Sequence, residues 1–238
     1  MENMNFAGQH LKDKDFSHQD LTGAIFDNAV LDNVKFCRSN LKNVSFKNAR
    51  LNSVDFTGAL LEKTKFEGAC LKDNDFSVAT LDSVNFDRSS FYGCDFSNAV
   101  LEFSNFKTAR FRTMKGYRNN RFARAYFFCV DFVDSELDSL DFSNSSLNLC
   151  NFKGSSLNGV KFVRANLKDS IFAYVSLENC DFTSANLKPV IFKQTILYSG
   201  ENNFHGANFE DSILSGLMLH RKDLEDFTPQ DCFLKNCA

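Results

Sequence analysis

Histidines and cysteines most often build catalytic or metal sites, and their spacing in this chain builds neither. His10, His18, His205 and His220 share no metal-ligand spacing, and none lies near an acid or nucleophile pair. The eight cysteines include no CxxC pair, which is the usual signature of a zinc or redox site. No glycine-rich phosphate-binding loop is present. We therefore predict no catalytic residue, no metal, no cofactor and no enzymatic activity.

A basic segment spans residues 110–124 and contains no acidic residue. Its cations could bind an acidic partner or phosphates, and its tyrosine could stack on a partner group. The candidate partner-binding residues are Arg110, Arg112, Lys115, Tyr117, Arg118, Arg121 and Arg124. The alternative is a solvated loop in which turn residues and charges cluster without a binding role.

A five-residue apolar period determines how any such site must be positioned. Every fifth residue over 6–111 is Phe or Leu, a second run shifted by one covers 122–197, and a weaker third run begins at Phe204. Five residues turn an ideal helix by about 140° and fall on opposite faces of a strand. Neither element can bury this set, so the chain must turn once per repeat, always in the same sense.

The residues around each apolar centre show how the turn is made. Two before the centre lies a small residue, such as Ala29 or Val34, on the same inward side of an extended segment. Two after it lies a turn former, such as Asn28, Asn43 or Gly58. Phe and Leu alternate with a period of ten, so a coil must hold an even number of repeats if like residues are to stack.

These repeats resemble the pentapeptide-repeat family and its A-(D/N)-L-x-x pattern. The segments that carry the resemblance are GALLEKTKFEGACLKDNDF (58–76), VRANL (163–167) and TSANL (183–187). It covers roughly residues 4–224 and implies an all-β fold, a right-handed quadrilateral parallel β-helix with four pentapeptides per coil. Members of the family share an architecture rather than an activity.

Twenty residues per coil would place several aspartates in one column. The candidate acidic ladder consists of Asp15, Asp55, Asp75 and Asp95, with Lys35 among them. Stacked like charges about 4.8 Å apart repel each other unless they are solvated or hydrogen-bonded. The resemblance suggests one role, because acidic rods of the quinolone-resistance type protect DNA gyrase by resembling duplex DNA. The alternative is that each carboxylate accepts a backbone hydrogen bond at its corner.

The breaks in the period define the predicted organisation. We predict one β-helix domain over 1–224, interrupted near 112–121 and 198–203, followed by a cap or tail over 225–238. Thr228 as N-cap and Pro229 at the first helical position predict a short C-terminal capping helix. A dimerisation segment is the alternative for this tail.

Composition narrows the function without identifying it. The net charge of −3 gives no general affinity for polyanions, so we do not expect direct nucleic-acid binding. No stretch approaches 18 apolar residues, no signal peptide begins the sequence, and free thiols suit a reducing compartment. We therefore expect no membrane association and a cytoplasmic location.

Outward apolar residues give one further candidate surface, because Leu60, Val100 and Phe103 are predicted to face out on one side. The leading prediction is a non-enzymatic scaffold that binds a macromolecular partner, most simply a protein. The alternative is a protein that protects DNA gyrase or another topoisomerase.

Overall fold

A computed structural model describes residues 4–112, 119–197, 202–215 and 233–235, with residues 196–197 and 233–235 described by their backbone alone. These residues form a stack of parallel coils. His10 pairs with Val30, and Val30 pairs in turn with Arg50, so each coil takes twenty residues. This confirms the predicted four pentapeptides per coil.

Short parallel strands and isolated bridges form the stack, and the described residues include no helix. The strands are β1 (His10–Lys12), β2 (Val30–Asp32), β3 (Arg50–Asn52), β4 (Cys70–Lys72), β5 (Ser90–Tyr92), β6 (Val100–Glu102), β7 (Arg110–Arg112), β8 (Tyr126–Phe128), β9 (Ser146–Asn148), β10 (Ser170–Ala173), β11 (Ser176–Leu177), β12 (Val190–Lys193), β13 (Ile196–Leu197), β14 (Ile213–Ser215) and β15 (Phe233–Lys235). The sheets run in the orders β1-β2-β3-β4-β5-β7, β6-β8-β9, β10-β12-β14-β15 and β11-β13.

Four columns of paired residues run along the stack and define four walls, which we number in chain order within a coil. In one coil the first to fourth walls are centred on the buried residues Phe26, Leu31, Phe36 and Leu41. Because side chains alternate along each short extended piece, the residues on either side of a centre face outward. The walls therefore display columns of side chains repeated at strand spacing, about 4.8 Å.

The corners explain the turn formers two residues after each centre. Asn28, Asn43 and Gly58 have φ of 59°, 57° and 64°, which is the left-handed region. Glycine adopts it without strain, and asparagine tolerates it better than other residues. One such residue per pentapeptide lets the chain turn after each short inward piece.

The core is a double column of phenylalanine rings between two columns of leucine. Along the first wall the rings of Phe26 and Phe46 stack at 4.9 Å, and along the third wall those of Phe36 and Phe56 stack at 5.3 Å. Across the rod, Phe26 and Phe36 meet edge to face at 5.6 Å. Burying each ring contributes roughly 1.5–3 kcal/mol, and each aromatic pair adds about 0.5–1.5 kcal/mol.

The two breaks in the period are insertions at one kind of corner, between the second and third walls. Asp95 pairs with Arg121, twenty-six residues later, so the first insertion adds six residues. Asp181 pairs with Asn203, twenty-two residues later, so the second adds two. The coils on both sides keep their columns, so neither insertion disturbs the stack.

The predicted C-terminal capping helix is wrong at residues 233–235, which form strand β15. This strand pairs in parallel with β14, with Leu234 opposite Leu214. The twenty-residue register continues to this point, and the open edge of β14 provides backbone partners that a helix would leave unsatisfied. Thr228 and Pro229, on which the prediction depended, lie outside the described residues.

Candidate functional site

The six-residue insertion occurs between Arg112 and Asn119, at the corner between the second and third walls. Three predicted partner-binding residues, Lys115, Tyr117 and Arg118, lie outside the described residues. The other four are exposed. Arg110 and Arg112 belong to strand β7 of the second wall, Arg121 belongs to the third wall, and Arg124 lies at that wall's far corner.

Two carboxylates compensate part of this positive charge. Glu136 lies opposite Arg110 in the next coil and accepts from both β7 arginines, at 3.2 Å from Nε of Arg110 and 3.4 Å from Nε of Arg112. Asp95 lies 3.6 Å from Arg121. Arg124 makes no ion pair within the described part of the chain. These pairs are exposed, so each contributes only about 0–1 kcal/mol, and most guanidinium donors stay available.

A buried asparagine holds the base of the insertion. The Asn120 side chain accepts a hydrogen bond from the Cys94 amide at 2.9 Å. It donates to the Phe91 carbonyl at 3.3 Å and to the Arg112 carbonyl at 3.4 Å. The side-chain amide of Asn120, which follows the insertion, therefore bonds to Arg112, which precedes it, and to Phe91 and Cys94 in the preceding coil.

Two other coils repeat this bridge at the same kind of corner. The Asn74 amide bonds to Val54 N and the Leu51 carbonyl, and Asn202, just after the second insertion, bonds to Cys180 N and the Leu177 carbonyl. Sequence reasoning missed these asparagines. The signal was present, since an asparagine replaces the small residue two before Phe122.

The acidic ladder is a mixed column on the third wall. Asp15 pairs with Lys35, and the column continues through Asp55, Asp75 and Asp95 to Arg121. In each aspartate, Oδ1 accepts the amide of the residue two positions later, at 2.8–2.9 Å. The carboxylates thus bond to the backbone at their corners. Hydrogen bonds from Ser17 hold the pKa of Asp15 below its ordinary value.

The fourth wall carries a second surface, which is apolar. Leu60 and Phe103 are each 53% exposed, as their outward positions predicted, whereas Val100 is half-buried. Tyr126 and Leu149 add exposed apolar area on the same side of the rod. Phe103 and Leu149 lie at the corner between the fourth and first walls, which is diagonally opposite the corner that carries the insertion.

Three cysteines lie two residues before an apolar centre, the inward position of the repeat. Cys94, Cys150 and Cys180 are buried, and their thiols are free. Burial raises the pKa of Cys94 to about 12 and that of Cys180 to about 11, so both remain protonated at neutral pH. Cys37, directly after the centre Phe36, is half-exposed, whereas Cys129 is exposed.

Over the described ranges, no group of three or more His, Cys, Asp or Glu side chains could hold a metal ion. Within the same ranges, no helix is long and apolar enough to cross a membrane.

Family models for pentapeptide repeats match most of the repeated part of this chain. The family model for the pentapeptide repeat region matches residues 1–76 and 125–199, which is over half of the chain, and that for pentapeptide repeats (8 copies) matches residues 75–112. No curated protein matches the sequence significantly.

Solved structures of repeat proteins give distant matches. HetL, a pentapeptide repeat protein involved in heterocyst differentiation regulation in the cyanobacterium Nostoc sp. strain PCC 7120, is 22% identical. The match covers 91% of this chain and 89% of HetL, with a TM-score of 0.30. Full-length QnrB1, a plasmid-mediated fluoroquinolone resistance protein, is 16% identical over 98% of this chain and 94% of its own, with a TM-score of 0.34. At these TM-scores the similarities carry no inference about activity or partner.

Proposed function

Because the chain belongs to the pentapeptide-repeat family, we propose that it is a non-catalytic scaffold that binds a protein partner at the corner carrying the six-residue insertion. The observation that supports this proposal is the insertion itself, which lies within a segment that carries four exposed arginines, Arg110, Arg112, Arg121 and Arg124. The coils on both sides of it keep their columns, although pairs that cross the insertion are twenty-six residues apart. The additional residues are thus not needed to complete the stack, which leaves them available for binding.

The charges at this corner favour an acidic protein surface as the partner. Glu136 is shared between Arg110 and Arg112, so neither guanidinium is saturated. Planar guanidinium groups bind carboxylates bidentately, and Arg124 has no competing ion pair among the described residues. Asp95 and Glu136 stand among the arginines, and their carboxylates would repel a continuous phosphate backbone.

Binding can be tested with two matched baits. The variant R110A/R112A/R121A/R124A removes the described cations of the segment 110–124, and R38A/R88A/R164A removes exposed arginines from other coils. Both baits and the wild type are incubated with extract of the source cells, and captured proteins are quantified by mass spectrometry. A partner lost only from the first variant supports the proposal. Identical capture by all three baits would overturn it.

Protection of DNA gyrase remains the alternative function. The third-wall column contains Lys35 and Arg121 among its aspartates, and this mixture weakens any resemblance to the even charge of duplex DNA. A supercoiling assay with purified gyrase and a fluoroquinolone separates the two functions. Supercoiling restored by the wild type but not by a variant lacking residues 113–118 would favour gyrase protection. An absence of protection at large molar excess would eliminate this alternative for the gyrase tested.

A further inference from the structure

The second wall carries a basic face over the four coils that end at the first insertion. Its outward side chains form two columns on strands β3, β4, β5 and β7, namely Arg50, Cys70, Ser90 and Arg110 in one and Asn52, Lys72, Tyr92 and Arg112 in the other. These two columns contain four cations and no acid. The adjoining corners add one charge of each sign, Asp73 and Arg88. The sequence pattern did not reveal this face, because Arg50 and Lys72 are distant from the segment 110–124 along the chain.

The basic face is bounded by a carboxylate at each end. Asp32, one coil before Asn52, accepts a hydrogen bond from that amide at 2.6 Å. Glu136, one coil after Arg110, is shared by the two arginines of β7. The distance from Arg50 to Arg110 is three strand spacings, about 14 Å. The face is therefore a positive patch of limited length and does not run along the whole rod.

The cations of the basic face are only partly compensated. Arg50 is exposed and Lys72 is half-buried, and neither forms an ion pair within the described part of the chain. The Lys72 ammonium lies 6.0 Å from the centre of the Tyr92 ring, a cation–π contact that holds it on the face. Arg110 and Arg112 share the single carboxylate of the next coil. The face therefore retains a net positive charge.

Small side chains occupy the middle of the basic face. Cys70 and Ser90 are the two middle residues of one column, and the cations lie around them. Tyr92 lies beside Ser90 on strand β5 and is half-buried. Long side chains around short ones leave a shallow recess with one aromatic side. Tyr and Arg are the residue types that supply much of the binding energy at the centres of protein interfaces.

We propose that the basic face binds an acidic, extended segment of the partner protein, whose carboxylates pair with Arg50, Lys72 and the two arginines of β7. This inference rests on the proposed function, because it names the surface beside the insertion that receives the acidic partner. An extended segment of about five residues spans the face at about 3.3 Å per residue. The planar guanidinium groups hold carboxylates bidentately, and the Tyr92 ring packs against the segment.

The boundaries of the basic face favour a peptide over a nucleic acid. Duplex DNA carries about one negative charge per 1.7 Å of its axis. A duplex lying along the second wall would therefore bring phosphates against both Asp32 and Glu136. A short acidic segment ends before it reaches either carboxylate.

The first test uses octaglutamate as the probe and octaglutamine as its uncharged control. Fluorescein-labelled octaglutamate should bind the full-length protein with a dissociation constant below about 1 mM at an ionic strength of about 0.05 M, measured by fluorescence anisotropy. R50A/K72A should raise that constant about fivefold or more, because it removes two of the four cations. Its urea midpoint should match that of the wild type, since both side chains point outward. The matched control K35A/K161A removes two exposed lysines that lie between aspartates on the third wall, and it should bind the probe as the wild type does.

Cys70 reports where the probe binds, because its free thiol lies in the middle of the basic face. Bound octaglutamate should slow the alkylation of Cys70 by iodoacetamide severalfold. Alkylation of the exposed Cys129, on another wall, should keep its rate, and both rates are measured by peptide mass spectrometry. Octaglutamine should protect neither thiol.

Several results would overturn this inference. They are a wild type that does not bind octaglutamate at 1 mM, equal binding by R50A/K72A and K35A/K161A, unprotected Cys70, and binding of a short DNA duplex in place of the peptide. R121A/R124A separates the inference from the proposed function, because it removes third-wall cations and leaves the basic face intact. Probe binding lost in R121A/R124A but kept in R50A/K72A would refute the basic face and leave the proposed function standing. The capture experiment decides the proposed function independently of octaglutamate.

Discussion

The coils before Ser90 and the coils beside the six-residue insertion fill the same core with different residues. In the early coils the second wall is centred on leucines, such as Leu51 and Leu71, stacked one above another. Beside the insertion the same column holds Phe91 and Phe111, whose rings stack at 4.4 Å. The fourth wall changes in the same way, since Phe127 lies opposite Leu101.

The change from leucine to phenylalanine indicates how the coils beside the first insertion are stabilised. An insertion separates two pieces of backbone that would otherwise be joined by a tight turn, and the local chain loses that constraint. Larger buried side chains in the coils below and above add apolar and aromatic contact, worth about 0.8 kcal/mol per additional buried methylene group. We therefore expect the coils beside the first insertion to depend more on their core than the regular coils do.

Removing a ring from the regular coils should have the largest effect. Phe56 is fully buried, so F56A should lower the free energy of unfolding by about 3–5 kcal/mol through a cavity. The control is K42A, because Lys42 is 43% exposed and forms only a surface pair with Glu62. K42A should cost less than about 0.5 kcal/mol. Equal shifts in urea unfolding would contradict the inward and outward positions assigned here.

The asparagine under the insertion should matter next most. N120A leaves the Cys94 amide and the Phe91 carbonyl without their partner, at a cost of roughly 1–3 kcal/mol. Its neighbour Asn119 is exposed, so N119A is the control in the same urea measurement. If the two variants unfold at the same midpoint, Asn120 does not hold the corner.

Returning leucine to the interrupted coils tests the compensation directly. F111L removes the stacked pair with Phe91 and should cost about 1 kcal/mol. The reverse change in the regular coils, L51F, should also destabilise, because that column has no space for a ring. An F111L variant as stable as the wild type in thermal unfolding would show that the aromatic residues compensate nothing.

Removing the insertion should have the smallest effect. Deletion of residues 113–118 brings Phe122 to five residues after Phe111 and restores the regular period. Shortening a loop changes its closure entropy by only about 0.6 kcal/mol per halving of length, so the urea midpoint should rise slightly. Loss of cooperative unfolding in this variant would mean that residues 113–118 help to hold the two parts of the rod together.

Much of the fold followed from the sequence because one repeated pattern determines both the inward and the outward positions. The phase shift after Phe111 predicted the first interruption but not its length, since a shift of one is also a shift of six when the period is five. The helix prediction failed at residues 233–235 because it depended on Thr228 and Pro229, which are local signals. The register that places Leu234 opposite Leu214 acts over twenty residues.

The candidate site was less predictable. A run of cations without an acidic residue identified Arg110, Arg112, Arg121 and Arg124, but it did not show that Glu136 lies opposite Arg110, because the insertion changes which residues meet across coils. The ion pairs also depend on the conformations of long flexible side chains, which a periodic sequence pattern does not predict. The bridging Asn120 was recognisable as a polar residue at an inward position.

Because insertions occur at the corners, the residue number alone does not give the position of a side chain along the rod. After the first insertion, residue numbers rise by six while the side chains stay in the same columns. Position along the rod is therefore counted in coils rather than in residues. Moving a side chain by twenty residues in the sequence shifts it by one coil along its wall. Lengthening a corner leaves the side chains of the walls in their columns. Segments inserted at such corners would therefore be spaced by whole coils along the rod, and the register of the walls between them would not change.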